Sequence, residues 1–222
     1  MENRKIVVPG EKIVVDESLL PGEFVRKEEN ALISMKYGLA EISEKIVKVI
    51  PLSGVYVPKK GDNIIGYVTS INYNGWVIDF DGHFNGFLPI SETSRYIEEG
   101  FLRDYLDYGE SVYARIKDVQ MNSILLTTKF KGLGKLSGGQ LTYVNPYRIP
   151  RIIGKNGSMI SLIKNLTRTM ILIGQNGNIW IKGERISDEL KAKKVIKFIE
   201  ENCFINGLTE KVEEYFKEIE NE

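Results

Sequence analysis

The chain has 222 residues, room for two or three small domains, with 42% apolar and 27% charged residues, ordinary for a globular protein. Thirty Lys and Arg balance thirty Asp and Glu, so the chain as a whole is not drawn to a polyanion. One cysteine, Cys203, and one histidine, His83, exclude an intrachain disulfide, a thiolate zinc site and a multi-histidine metal site. No apolar run approaches the roughly 20 residues of a membrane helix. The opening MENRKIVVPGEKIVV lacks a signal-peptide layout because Pro9 interrupts its short apolar run, so a cytoplasmic protein is expected.

Residues 1–57 read as short strands separated by Gly and Pro: IVVPG, KIVV, ALISMKYGLAEIS and KIVKVIPLSGVYVP. No helix-period stretch interrupts them, and a small β-barrel or sandwich follows. Pro58, Lys59, Lys60 and Gly61 mark a boundary. In 58–130 five strand candidates (GDNIIGYVTSI, GWVIDF, GFLPI, ESVYARIKDV and SILLTTK) suit a five-stranded OB barrel. SETSRYIEEGFLRDYL, between the third and fourth, is expected to be a short helix and loop.

KGLGKLSGGQ reads as a Gly-rich linker, after which the rhythm changes. LTYV is a strand, and Arg148 to Ile153 a short helix or turn. Met159, Leu162, Ile163 and Leu166 recur at helical spacing, predicting one buried face. TRTMILIG and GNIWIKG form a hairpin across Gln175, Asn176 and Gly177. SDELKAKKVIKFIEENCF predicts an amphipathic helix with Ser187 as N-cap and Ala192, Val195, Ile196, Ile199 and Cys203 on its apolar stripe. Cys203 is thereby core filler rather than a nucleophile. A last helix covers 209–219. The fold class is multidomain, mainly β and then α+β, with bounds 1–57, 58–130, 131–206 and 207–222.

Charge is unevenly spread. Residues 131–185 hold nine basic residues against Glu184 alone, a local excess of eight, and the other segments are acidic. Within that window lies RIIGKNGSMI. A nucleotide P-loop fails there, because Ile149 stands where its first glycine belongs and Asn156 where a hydroxyl must hold magnesium. A dinucleotide fingerprint fails because Gly154 and Gly157 lack a preceding G-x-G. Two readings remain. One is a helix–GxxG–helix grip on single-stranded nucleic acid. In it the glycines admit a phosphodiester backbone, the following helix aims free N–H groups at it, and Arg151, Lys155, Asn156 and Lys164 add charge and donors. The other is a helix–helix turn with no ligand. GQNG (174–177) has the same spacing between two strands and reads as a plain hairpin turn, so spacing alone identifies nothing. The carboxylate pairs Asp79/Asp81 and Asp104/Asp107 could ligate magnesium, but solvated surface is the preferred reading. His83 reads as a solvated loop residue. No catalytic residue, metal or cofactor is implied.

Three segments together resemble a known family. Residues 58–130 resemble the S-one type of OB module through Pro58, Gly61-Asp62, Gly66, Val68, Gly75, Val77 to Phe80, Gly86 to Ser91, Gly109-Glu110, Ala114 and Leu126-Thr127. IPRIIGKNGSMI and GQNGNIWIKG resemble a KH domain, and the opening IVVPGE resembles the N-terminal β-domain of exosome cap subunits. The order of all three is that of the KH-containing cap subunits of the archaeal exosome.

The resemblance implies a non-catalytic, homotrimeric cap on a 3'-5' exoribonuclease ring. Its N-terminal domain would touch the ring, and the chain would admit single-stranded RNA. The chain departs from the OB pattern where Val77 and Pro89 stand in place of a stacking aromatic and a histidine. Tyr73, Asn74, His83, Phe84 and Phe87 are the candidate replacements. Alternatives are a free RNA-binding factor of translation or RNA metabolism, and a scaffold whose KH fold binds no RNA.

Overall fold

The computed structural model describes residues 4–16, 18–43, 45–80, 82–98, 100–121, 123–203 and 207–220. Asp81, one of the paired carboxylates, lies outside them. The chain divides into two compact units, Met1–Val55 and Tyr56–Glu222.

The first unit has seven short strands: β1 (Arg4–Val7), β2 (Lys12–Val15), β3 (Leu20–Pro21), β4 (Val25–Glu28), β5 (Ala31–Ser34), β6 (Gly38–Ile42) and β7 (Ile46–Pro51). They form two sheets, β1-β6-β7-β3 and β2-β5-β4. Val7, Leu32, Ala40, Val47 and Val49 fill the space between, as alternation in β7 predicts. ALISMKYGLAEIS is two strands, β5 and β6, rather than one. β3 and β4 are not legible in the sequence: one is two residues long, and the other, VRKE, exposes three of its four residues at a sheet edge, where charge protects an unpaired ladder. GVYVP at 54–58 forms no strand. On the outer face of the larger sheet Ile6, Leu39 and Ile50 stand in register across β1, β6 and β7. Ile6 and Ile50 remain exposed.

The second unit begins with a barrel of β8 (Asn63–Asn72), β9 (Gly75–Asp79), β10 (Asn85–Pro89), β11 (Ser111–Gln120) and β12 (Ser123–Thr127). It is closed because β12 pairs with both β10 and β11. The expected helix between the third and fourth strands shrinks to one turn, α1 (Leu102–Tyr105), which buries Leu102 and Tyr105 in the barrel end. Trp76 is fully buried and its indole N–H donates to the Leu106 carbonyl at 2.9 Å, which ties this segment to the barrel. In the KGLGKLSGGQ stretch, expected to be linker throughout, β13 (Gly134–Lys135) adds to β11.

The rest of the unit carries β14 (Gln140–Tyr143), α2 (Ile149–Ile153), α3 (Ser158–Thr167), β15 (Met170–Ile173), β16 (Asn178–Lys182), α4 (Ile186–Glu201) and α5 (Leu208–Glu220). An antiparallel sheet in the order β14-β16-β15 backs the helices. Ile149, Ile152, Met159, Ile163, Ile179, Val195 and Ile196 share one core with Val212 and Phe216 of α5. Each such side chain contributes roughly 1.5–3 kcal/mol of burial. Cys203 is buried, as its place on the stripe predicts, against the Arg148 guanidinium. Ser187 does not cap α4. The helix starts one residue earlier, at Ile186, after Arg185. No side chain caps its first turn; the Glu189 carboxylate accepts the Gly183 N–H at 3.1 Å, which fastens the segment ahead of the helix to its first turn.

Candidate nucleic-acid interface

The GxxG loop is a connector in which Gly154, Asn156 and Gly157 all take positive φ. α2 ends on Gly154, with φ 73° and ψ 174°, a region almost reserved for glycine. A Cβ there would sit 2.7 Å from Met159 Cβ and 2.8 Å from Met159 N. Asn156 takes left-handed angles (φ 53°, ψ 28°), and so does Gly157 (φ 78°, ψ 14°), which enters α3 with no side-chain cap. A Cβ at Gly157 would meet only Ile160 Cγ2, at 3.8 Å. The two glycines therefore differ: Gly154 is held by packing and angle, Gly157 by angle alone with open space around it.

Ile152, Met159 and Ile163 anchor the flanks, while Arg151, Lys155 and Asn156 are exposed. Lys164 lies two turns along α3, half-buried. No side chain caps the start of α3. Exposed cations and uncapped N–H groups beside an open glycine are what a phosphate oxygen needs. The positive excess is not all available here. Lys135 pairs with Glu110 of the barrel at 2.6 Å and holds that carboxyl below the usual range, and Lys182 donates to the Ser137 carbonyl.

The barrel candidates separate. Tyr73 and Asn74 occupy the β8–β9 turn and line an open groove with Pro89, Ile90, Arg95 and Tyr96. Phe87 pairs with Val77 across β10 and β9, both half-buried. Phe84 packs on the barrel core and His83 is exposed. Arg95 and Tyr96 escaped the sequence reading. Nothing in SETSRYIEEG marks them, because their display depends on where the neighbouring residues are buried.

Two of the candidate carboxylates, Asp79 and Asp107, have structural work. Asp79 accepts from the Tyr67 hydroxyl at 3.2 Å and the Gly82 N–H at 2.8 Å, and its charge pushes the Tyr67 phenol up. Asp107 accepts the Tyr108 N–H. Among the described residues no three His, Cys, Asp or Glu are grouped as a metal site, and no helix is long and apolar enough to cross a membrane.

The GQNG turn does more than reverse the chain. Asn176 is fully buried, and its amide bonds to Ile65 and Phe80 backbone atoms of the barrel. Asn178 Nδ2 donates to the Ile65 carbonyl at 2.8 Å, and the Gln175 N–H donates to the Asn63 carbonyl at 2.7 Å. The Tyr113 hydroxyl reaches the Ile173 carbonyl from the other side of the seam. Composition could not reveal this, since a turn docked on the backbone of a barrel strand and a turn in solvent use the same residues.

No family model matches the chain. It is similar to the exosome complex component Rrp4 of Thermoplasma acidophilum, 37% identical over 99% of this chain and 92% of the relative. The Methanothermus fervidus protein of that name is 36% identical over 97% and 96% of the two chains. The Thermococcus kodakarensis one is 37% identical over 96% and 84%. A crystal structure described as a candidate exosome complex RNA-binding protein superposes with a TM-score of 0.68 at 26% identity, covering 76% of this chain and 98% of that one. With near-complete coverage at this identity, and with a barrel and GxxG module in the order seen here, the chain belongs to the Rrp4 family of exosome complex components.

Proposed function

We propose that this chain is a non-catalytic RNA-binding subunit of an exosome, which caps the 3'-5' exoribonuclease ring and admits single-stranded RNA. The single observation that carries the RNA contact is the loop at Gly154–Gly157: an open glycine, exposed Lys155 and Asn156, and an uncapped helix start in one place. Family membership supports the exosome as its setting. The ring contact falls to the N-terminal unit, 1–57 in the domain reading. Support comes from its outward row of Ile6, Leu39 and Ile50, with Ile6 and Ile50 exposed and Leu39 half-buried between them, of the kind that marks protein interaction surfaces. The barrel (58–130) and the KH-type module (131–206) handle RNA, and the last helix (207–222) completes the KH core. Three copies form the cap, and the protein works in the cytoplasm.

Recovery of the tagged chain under native conditions, followed by mass measurement, tests the setting. Co-purification with ring-forming ribonuclease subunits at three copies per ring is expected. Recovery with ribosomes alone would sink the reading. The chain purified alone is expected to leave RNA intact with magnesium or phosphate. Turnover abolished by Asp79→Asn or Asp104→Asn would make it an enzyme instead.

A further inference from the structure

No carboxylate occurs between Gly154 and Gly183. Along α3, Met159, Ile163 and Thr167 are buried. The opposite side presents Ser158, Ser161, Asn165 and, just past the helix end, Arg168, all exposed, with Lys164 half-buried beside them. Every one of these side chains donates hydrogen bonds and none is negative. The stripe starts at the GxxG loop and follows the ten residues of α3 for about 15 Å. It ends at a depression where three segments bring cations together: Arg168 after α3, Arg185 before α4 and Lys191 in the second turn of α4. Among the described residues none of the three has an ion pair, although Glu184 and Asp188 share the depression. The frame around them is fixed. Arg168 sits between two buried threonines: the Thr167 hydroxyl donates to the Ile163 carbonyl at 2.7 Å and lies 2.7 Å from the Thr169 hydroxyl. Those contacts hold Arg168 at left-handed angles (φ 52°), a position that favours glycine, with its side chain outward. Glu189 fastens Gly183, and a Cβ on Gly183 would lie 3.2 Å from Thr169 Cγ2, so the two loops meet closely.

We propose that the exposed face of α3 carries an RNA strand away from the GxxG loop, and that Arg168, Arg185 and Lys191 form a second phosphodiester site at its far end. The proposal rests on the RNA-binding reading above and lengthens the strand held by this module beyond the roughly four nucleotides of a GxxG clamp. Hydroxyl and amide donors along the helix suit phosphate oxygens and carry no base information. Two guanidinium forks and an ammonium receive a phosphate at the end of the stripe. Glu184 and Asp188 repel it there, so they hold the end site below the affinity its cations would give alone, and their neutralisation tightens it.

Binding of labelled oligoadenylates to the full-length chain across a salt series tests this, with one of about 4 nucleotides, the span of the GxxG clamp, and one of about 12. Arg168→Asn with Arg185→Gln and Lys191→Gln is expected to weaken the longer one roughly fivefold per lost contact at about 0.1 M salt. Its salt slope should fall by about 0.7 per lost contact, and the shorter one should bind as before. Arg168→Lys with Arg185→Lys, which keeps the charges, is expected to hold the slope. Glu184→Gln with Asp188→Asn is expected to tighten the longer one by about two- to fivefold. Lys155→Asp with Asn156→Asp, which addresses the GxxG loop, is expected to weaken both lengths. If the neutral triple variant binds both lengths as the wild type does while the aspartate pair is weakened, the end site is overturned and the RNA-binding reading stands. If that triple variant is also lost from the complex recovered under native conditions, the cations serve an acidic protein face instead. If it loses as much on the shorter length as on the longer, the cations act as a general field, and the end site is again overturned. If the wild-type chain binds neither length, both readings fail.

Discussion

Asn176 and Ile65 exchange two hydrogen bonds. The Asn176 Nδ2 donates to the Ile65 carbonyl at 2.9 Å, and its Oδ1 accepts the Ile65 N–H at 3.2 Å. The side-chain amide thus stands in for a peptide group on a strand neighbouring β8, joining residues 111 positions apart. The barrel and the GxxG module are thereby tied through backbone groups, which no surface mutation nearby can loosen as directly.

Asn176→Ala would leave the Ile65 N–H without its acceptor in a buried place. A loss of about 1–3 kcal/mol is expected, with Asn178 still serving the Ile65 carbonyl. Denaturant unfolding of the full chain measures it. Gln175→Ala, which keeps the backbone bond to Asn63, is expected to cost less than about 0.5 kcal/mol.

The two GxxG glycines should respond differently to asparagine. At Gly157 the left-handed angles suit asparagine and the space is open, so Gly157→Asn should cost under about 1 kcal/mol. Gly154→Asn meets Met159 and angles foreign to any side chain, and should cost about 1–3 kcal/mol or more. Thermal unfolding distinguishes the pair. Equal losses would contradict this account of the loop.

Glu92 is a buried carboxylate between two lysines: Lys117 Nζ at 2.8 Å and Lys129 Nζ at 3.6 Å. The Lys117 hydrogen bond holds its acidity below the usual glutamate range, against the opposing effect of burial. A folded-state value below the unfolded one means its contribution is fully present above the unfolded value, about 4.3. That contribution is lost as pH falls through the depressed folded value. Glu92→Gln should therefore lower stability at neutral pH, and the gap to wild type should narrow on acidification. Unfolding midpoints taken from pH 7 down to about 3 check the sign.

Reversing charge at the loop tip, Lys155→Asp with Asn156→Asp, should weaken single-stranded RNA binding. The slope of log affinity against log salt should shrink by about 0.7 per lost phosphate contact. A constant slope would mean that the loop is only the turn between α2 and α3.

Much of the fold is legible because burial periodicity is local. β7 alternates along its six residues, and α3 and α4 carry their apolar stripes at helical spacing. Misses have local causes too. β4 is a charged edge strand, so alternation is absent, and α4 starts one residue before its serine, on an Arg185 N-cap that makes no side-chain bond for the sequence to signal. Of the candidate site, Gly154 to Gly157 is legible because glycine at a required angle is a chemical signature. Tyr96 and Arg95 are not, because exposure is a property of the neighbours.

By itself the sequence determined the order of modules, the basic window and the glycine loop within it, since each depends on residues adjacent in the chain. Only the tertiary structure decided what the second glycine turn is for. GQNG has the spacing of GKNG, yet Asn156 stands exposed at the tip of one loop while Asn176 is fully buried in the seam with the barrel. The difference lies in what the barrel offers: the unpaired backbone of Ile65 and Phe80 meets one amide, and solvent meets the other. A contact between residues more than a hundred positions apart leaves no periodicity to read.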